Sequence, residues 1–177
     1  MSFITDMMAL SHVPRWVIVR TARQQSVAEH TFRMTMIAVE IFRRCSPPGY
    51  FTDWSTVMWH CLTHDADESV TGDVPTPARV LLGVPAGNTG LVEVPTVGDN
   101  PEPTQWEMAI IKLADWVEAY VFIRHEGRGT HAGKIGDAIH DKISNHARQW
   151  IPPATLDEFF NLVNELLAES EREAVTR

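Results

Sequence analysis

A chain of 177 residues, 44% of them apolar, is long enough to bury one substantial core and short enough to suit a single domain over residues 1–177. Its 15 lysines and arginines against 23 aspartates and glutamates leave a net charge of −8, which argues against a cationic surface for a nucleic-acid polymer. Two cysteines, Cys45 and Cys61, are too few for a disulfide framework, no apolar run reaches membrane-spanning length, and the start "MSFITDMMALSH" lacks a basic leader followed by an apolar stretch; a reducing, cytoplasmic setting without a membrane partner is expected.

Residues 3–12 read as a short helix, and "PRWVIVRTARQQ", 14–25, apolar then basic, as an extended connector. Ser26 and Glu29 have the spacing of a capping box, opening a helix with Val27, His30, Met34, Ile37, Ala38 and Ile41 on one stripe and ending before "SPPG" at 46–49. Asp53 is an N-cap candidate for a second helix whose inward face would hold Trp54, Val57, Cys61 and Leu62, with His64, Asp65 and Glu68 following on that face. Residues 81–104, rich in Gly and Pro, read as irregular, with "LVEVPTV" as an extended segment or half of a small hairpin. Thr104 and Glu107 form a second capping box, opening a long helix with Ile111, Asp115, Glu118 and Phe122 on one side and Gly127 and Gly129 at its end. A weaker helix over 134–149 would be interrupted by Gly133 and Gly136, and a capping box at Thr155 and Glu158 opens a last amphipathic helix through about Glu171. The fold class is therefore all-α, with a small extended or hairpin segment around 83–104.

Several of these helices put polar residues on apolar stripes. Taken singly, each has an ordinary explanation. His30 could be a core histidine bonded to a backbone carbonyl, His64 and Asp65 a helix end running into the acidic loop "THDADESVTGDVPTP", and Asp115 half of a buried ion pair. Taken together, imidazole plus carboxylate is the donor set of a divalent transition metal, Zn, Co, Mn or Fe, and one ion would account for all the buried polar positions. His60 and His64 also stand at i, i+4, but the glutamate that a zinc-protease helix places after its first histidine is Cys61 here.

The order and spacing of "RWVIVR" at 15–20, "SVAEH" at 26–30, "HDADESVTGDVPTPAR" at 64–79 and "KLADWVEAY" at 112–120 resemble the YfbR-like 5′-deoxynucleotidases of the HD-domain phosphohydrolase superfamily. Within that family the short length, the compact stretch after Arg79 and the "RWVI" string are similar to the phage DatZ branch, the dATP triphosphohydrolases of viruses whose DNA uses 2-aminoadenine. The resemblance implies a compact all-helical HD bundle. It implies His30, His64, Asp65 and Asp115 as metal ligands, and Glu68 and Asp73 as the acidic pair that orients water and handles protons. It implies Arg15 and Arg79 as phosphate contacts, Trp16 as the wall that excludes ribose, Ile18 as an apolar contact to the base, and Pro77 as lining the pocket nearby.

The activity so implied is hydrolysis of dATP to deoxyadenosine and triphosphate by a homo-oligomer, a dimer or larger, with further divalent ions arriving on the triphosphate. A 5′-deoxynucleotidase acting on monophosphates is the alternative. A metal- and nucleotide-binding regulator without catalysis is a second, against which the intact Glu68 and Asp73 argue.

Overall fold

The computed structural model describes residues 2–51, 53–83, 89–96 and 102–175. Its elements are α1 (Phe3–Ala9, extended by a 3₁₀ turn, Leu10–His12), α2 (Val27–Cys45), α3 (Trp54–Thr63), α4 (Glu68–Thr71), α5 (Thr76–Leu82), α6 (Gln105–Glu126), α7 (Gly129–Trp150) and α8 (Leu156–Val175), the last preceded by a 3₁₀ turn at Pro153–Thr155. The fold is all-α. Among the described residues no strand forms; the chain makes only isolated bridges, Pro14 to Ser26 and Thr21 to Gly127, which pin the connector 14–25 to the start of α2 and the end of α6. The hairpin expected around 83–104 is thus absent where that segment is described, at 83, 89–96 and 102–104; residues 84–88 and 97–101 lie outside the described residues.

Local chemistry sets the helix ends. The Ser26 hydroxyl accepts from the Glu29 N–H at 3.1 Å, but Glu29 turns its carboxylate to Arg23 instead of reaching back, so half of the expected capping box forms. Asp53 caps α3 as expected, through Ser55 and Thr56. At Thr104 both halves of the box are made, 3.2 Å from the Glu107 N–H to the hydroxyl and 2.8 Å from the Thr104 N–H to the carboxylate. At Thr155 none forms, because the hydroxyl donates to the carbonyls of Cys45 and Pro152. α5 was not foreseen; Pro77 in its first turn suits a helix start, where no intrahelical donor is needed.

α6 is the axis of the bundle. α2 lies along one side of it and α7 along another, with α8 across α2 and α6. The main core joins Met34, Ile41 and Phe42 of α2, Val57 and Cys61 of α3, Ile110, Leu113 and Val117 of α6, Ile143 of α7 and Phe159 of α8. Each such fully buried side chain contributes roughly 1.5–3 kcal/mol. Of the four apolar residues expected to face inward from α3, Val57 and Cys61 do; Trp54 and Leu62 are 41% and 36% exposed.

α7 runs unbroken through Gly133 and Gly136, against the sequence expectation. A Cβ at Gly136 would lie 3.3 Å from Ile123 Cγ2, so the missing side chain lets α7 press close to α6. Packing thereby offsets the glycines' poor helix propensity.

Candidate active site

The site is built where α2, α6 and the α3–α4 turn converge. α3 stops at Thr63, and residues 64–67 turn before α4, so His64, Asp65 and Glu68 lie on a turn and a short helix and not on one continuous helix face. That turn brings His64 and Asp65 against His30, which projects from the buried stripe of α2 with no solvent exposure. One ligand atom each of His30, His64 and Asp65 lies within 4.8 Å of the others. Asp115, from the middle of α6, places Oδ1 3.3 Å from His30 Nε2.

The histidine nitrogens are already sorted. His30 Nδ1 is 2.6 Å from the Glu118 carboxylate, and His64 Nδ1 is 2.8 Å from the Cys61 carbonyl. In the neutral ring each bond fixes the Nδ1–H tautomer and leaves Nε2 with its lone pair facing the other donors. His30 Nε2 is buried and, among the described residues, finds no hydrogen-bond partner. An orphaned buried ring nitrogen beside two carboxylates is what a metal-ligand position looks like before the ion is considered, so the residues present fit a divalent ion.

The electrostatics agree. Burial alone would raise Asp65, Asp115 and Glu118. Instead the neighbouring groups hold all of them below the usual range: His64, His30 and Arg15 for Asp65, His30 and Lys112 for Asp115, His30, Arg15 and Arg33 for Glu118. Burial works against charged His64, but Asp65 and Asp115 outweigh it and raise its pKa. Glu68 goes the other way: burial, with Asp65 and Asp73 nearby, pushes it up to about 8, although Arg79 donates to it at 2.8 Å.

An open cleft of about 620 Å³ lies over this cluster. Of the expected residues, Arg15, His64, Asp65, Glu68, Asp73, Arg79 and Asp115 line it. Trp16 stands beside it: its backbone N–H donates to Asp73 at 3.3 Å and its indole stacks on Phe122, with ring centroids 6.0 Å apart. Ile18 is 53% exposed on the connector and Pro77 is exposed on α5; neither lines the cleft.

The sequence reading missed several participants. Glu118, fully buried, shares a face of α6 with Asp115 at i+3, and its place on the same side as Asp115, Ile111 and Phe122 was the available signal. Lys112 and His60 line the cleft, Lys112 bonded to Asp115 at 2.6 Å. Asp67 accepts from both the N–H and the hydroxyl of Thr89 and, at 2.8 Å, from the Val92 N–H, tying the later loop to the α3–α4 turn.

A helical bundle that gathers histidine and aspartate from remote segments at one cleft defines an HD-type phosphohydrolase, a metal-dependent class. The chain belongs to that class, in the family of YfbR-like 5′-deoxynucleotidases, whose model matches residues 2–81. It is 30% identical over 158 residues to a dATP triphosphohydrolase of Salmonella phage PMBT28, covering 82% of this chain and 80% of that one. A dATP triphosphohydrolase of cyanophage S-2L is 30% identical over 142 residues, covering 75% and 76%. The 5′-deoxynucleotidase YfbR of Escherichia coli is 28% identical over 78 residues, 44% of this chain and 39% of that one. In fold, the chain is similar to the cyanophage S-2L HD phosphohydrolase DatZ, solved with dA and one catalytic Zn²⁺, at a TM-score of 0.69 and 22% identity over 100% of this chain and 99% of the other. No described helix is long and apolar enough to cross a membrane.

Proposed function

We propose that the protein hydrolyses dATP to deoxyadenosine and triphosphate. The observation that carries this reading is reach: the phage dATP triphosphohydrolases match 75–82% of the chain at 30% identity, whereas the 5′-deoxynucleotidase of Escherichia coli matches 44% of it. Hydrolysis of 5′-monophosphates is the second reading, favoured by the family match over residues 2–81.

In this reading His30, His64, Asp65 and Asp115 hold the divalent ion, of which Zn, Co, Mn and Fe suit the donors. When bound, the ion polarises a phosphoryl oxygen and acidifies water. Arg15 supplies a buried guanidinium whose Nη1 has no hydrogen-bond partner among the described residues, and Arg79 and Lys112 add positive charge around the cleft. Together they bind the phosphates and take up charge as the α-phosphorus–O5′ bond breaks. A triphosphate brings further divalent ions with it. Glu68, protonatable near neutrality, and Asp73 form the acidic pair that takes the proton of the attacking water and returns one to O5′. Pro77 acts at one remove, by starting the helix that aims Arg79 at Glu68.

Trp16 selects the sugar. Among the described residues it is the one non-glycine position with positive φ, +63°, a strained conformation held by its bond to Asp73 and its stack on Phe122. An indole against C2′ leaves a ribose hydroxyl unsolvated, a penalty of roughly 1–3 kcal/mol. Ile18, outside the cleft on the same connector, meets the base edge. There it disfavours an exocyclic 2-amino group, so dATP is consumed and 2-aminoadenine nucleotides are spared, as suits a phage that remodels the nucleotide pool of the host cytoplasm. Phe32 and Met36, 62% and 54% exposed on successive turns of α2, fit a homo-oligomer, a dimer or larger, and light scattering tests it.

The assay incubates the protein with each dNTP and dNMP plus Mn²⁺, Co²⁺ or Zn²⁺ and identifies the inorganic product. Triphosphate from dATP is expected. Phosphate from dNMPs alone selects the second reading, and no product with any of them leaves a binding protein. Ile18→Gly should admit dGTP; an unchanged dATP/dGTP preference would remove Ile18 from base selection.

A further inference from the structure

Glu118 and Gln25 are both wholly buried and are used by none of the steps above. They join the ion site to the sugar wall by a chain of hydrogen bonds whose direction is fixed at one end. An indole N–H can only donate. Trp16 Nε1 donates to Gln25 Oε1 at 3.0 Å, so the Gln25 amide must turn its NH₂ the other way, and it donates to Glu118 Oε1 at 2.7 Å. Glu118 must therefore accept at that oxygen. Its second oxygen lies 2.6 Å from His30 Nδ1 and 3.7 Å from Arg15 Nη1, and Arg33 Nε stands 3.4 Å from the first. Among the described residues, each polar partner of Glu118 (Gln25, His30, Arg15 and Arg33) is a donor, and a carboxylate is the one side chain of this length that accepts on both ends.

From this geometry we infer that Glu118 is a positioning residue which, through Gln25, sets His30 for the ion and Trp16 for the deoxyribose at the same time. The sugar half of the inference rests on the reading of Trp16 given above; the ion half does not. An amide at position 118 cannot satisfy both ends. If its oxygen faces His30, its NH₂ meets the NH₂ of Gln25, which must turn over and present a donor to Trp16. If it faces Gln25, its NH₂ meets His30 Nδ1, which must give up its proton, and the Nε2 position then carries it.

The experiment compares wild type, Glu118→Gln and Gln25→Met. The readouts are Co²⁺ affinity by competition with a chelator and the ratio of kcat/KM for dATP to that for ATP. Glu118→Gln is expected to weaken Co²⁺ binding about 10- to 100-fold, the usual effect of losing a ligand's outer partner, and to lower the dATP/ATP ratio. Gln25→Met should leave Co²⁺ affinity within about threefold and lower only the ratio, since it cuts the chain beyond Glu118. Unchanged Co²⁺ affinity in folded Glu118→Gln overturns the ion half, and an unchanged ratio in Gln25→Met overturns the sugar half. If Glu118→Gln does not fold, Glu118→Asp takes its place in the Co²⁺ arm: its shorter carboxylate should also weaken Co²⁺ binding, and unchanged affinity there overturns the ion half, while Gln25→Met still decides the sugar half. A wild type with no preference for dATP over ATP refutes the reading of Trp16, and the Co²⁺ arm still judges Glu118.

Discussion

α6 is packed along two sides, and the two seams are built on different principles. Toward α2 and the connector it presents Asp115, Glu118 and Phe122, which meet His30, Arg15 and Trp16. Toward α7 it presents Trp116, Tyr120 and Ile123, which meet His146, His140 and Gly136. Both triplets recur at helical spacing, so periodicity alone cannot tell them apart. The first seam buries charge that solvent would otherwise stabilise, and it holds together because each carboxylate has a cationic or hydrogen-bonding partner. The second closes by shape. Burying charge in place of greasy contact is costly without a use, and in the proposed reading that use is to hold an ion.

The strongest way to break this contrast is to strip the ion. Dialysis against a chelator should take activity to background, and added Mn²⁺, Co²⁺ or Zn²⁺ should restore it; Asp115→Asn should not be rescued by the same additions. Full activity after exhaustive chelation would mean that the charged seam has some other purpose. Next in size is Glu68→Gln at the rim of the cleft. It keeps the bond from Arg79 but removes proton exchange, and kcat should fall by about 10²- to 10⁴-fold with metal affinity little changed. Retention of more than about a tenth of wild-type kcat would place the proton work elsewhere.

The seam also gives a pH signature with opposite signs. Without the ion, Glu68 is raised from 4.5 to about 8: the unfolded chain ionises it first, so its contribution to stability declines as pH climbs through that window. His64 is raised above 6.5 by Asp65 and Asp115, against burial, and its contribution, complete below 6.5, is lost as pH rises through the folded value. Asp65, Asp115 and Glu118, all lowered, add stability above their unfolded values that disappears as pH falls through the folded ones. The ion-free protein should therefore be most stable in mild acid. Binding an ion needs the imidazoles neutral, so its contribution grows with pH. Melting with Zn²⁺ and with chelator from pH about 6 to about 8 should show the gap in Tm widening. A constant gap would contradict the ligand assignment.

Much of this seam could be read in the sequence. His30 and Asp115 are conspicuous because each breaks an apolar stripe, and Ser26, Asp53 and Thr104 mark helix starts by side-chain chemistry that acts within a few residues. What the sequence hid is what depends on tertiary approach. Gln25 matters only because the connector folds back to set Trp16 beside it. Glu29 deserted its capping box for an arginine, and Thr155 deserted its own for the Cys45 carbonyl. Glycine was misread in α7 for the same reason: propensity counted Gly133 and Gly136 as interruptions, while contact with α6 kept the helix whole.

That misreading supplies the smallest and cleanest test of the second seam. Gly133 is exposed, helical, and would place a Cβ with nothing within 4 Å. Alanine there removes backbone freedom from the unfolded chain without touching a neighbour, so Gly133→Ala should add about 1 kcal/mol. In a chain of this size that is a rise in Tm of roughly 2–4 °C. Gly136→Ala should fail to match it, since its Cβ would sit 3.3 Å from Ile123 Cγ2 and 3.4 Å from Arg124 Cδ, tighter than ordinary contact. Neither nucleotide turnover nor metal affinity should move in Gly133→Ala, because α7 meets α6 on the side away from His30. If turnover did change, the two seams would be mechanically coupled through α6, and the division of labour between them would be wrong.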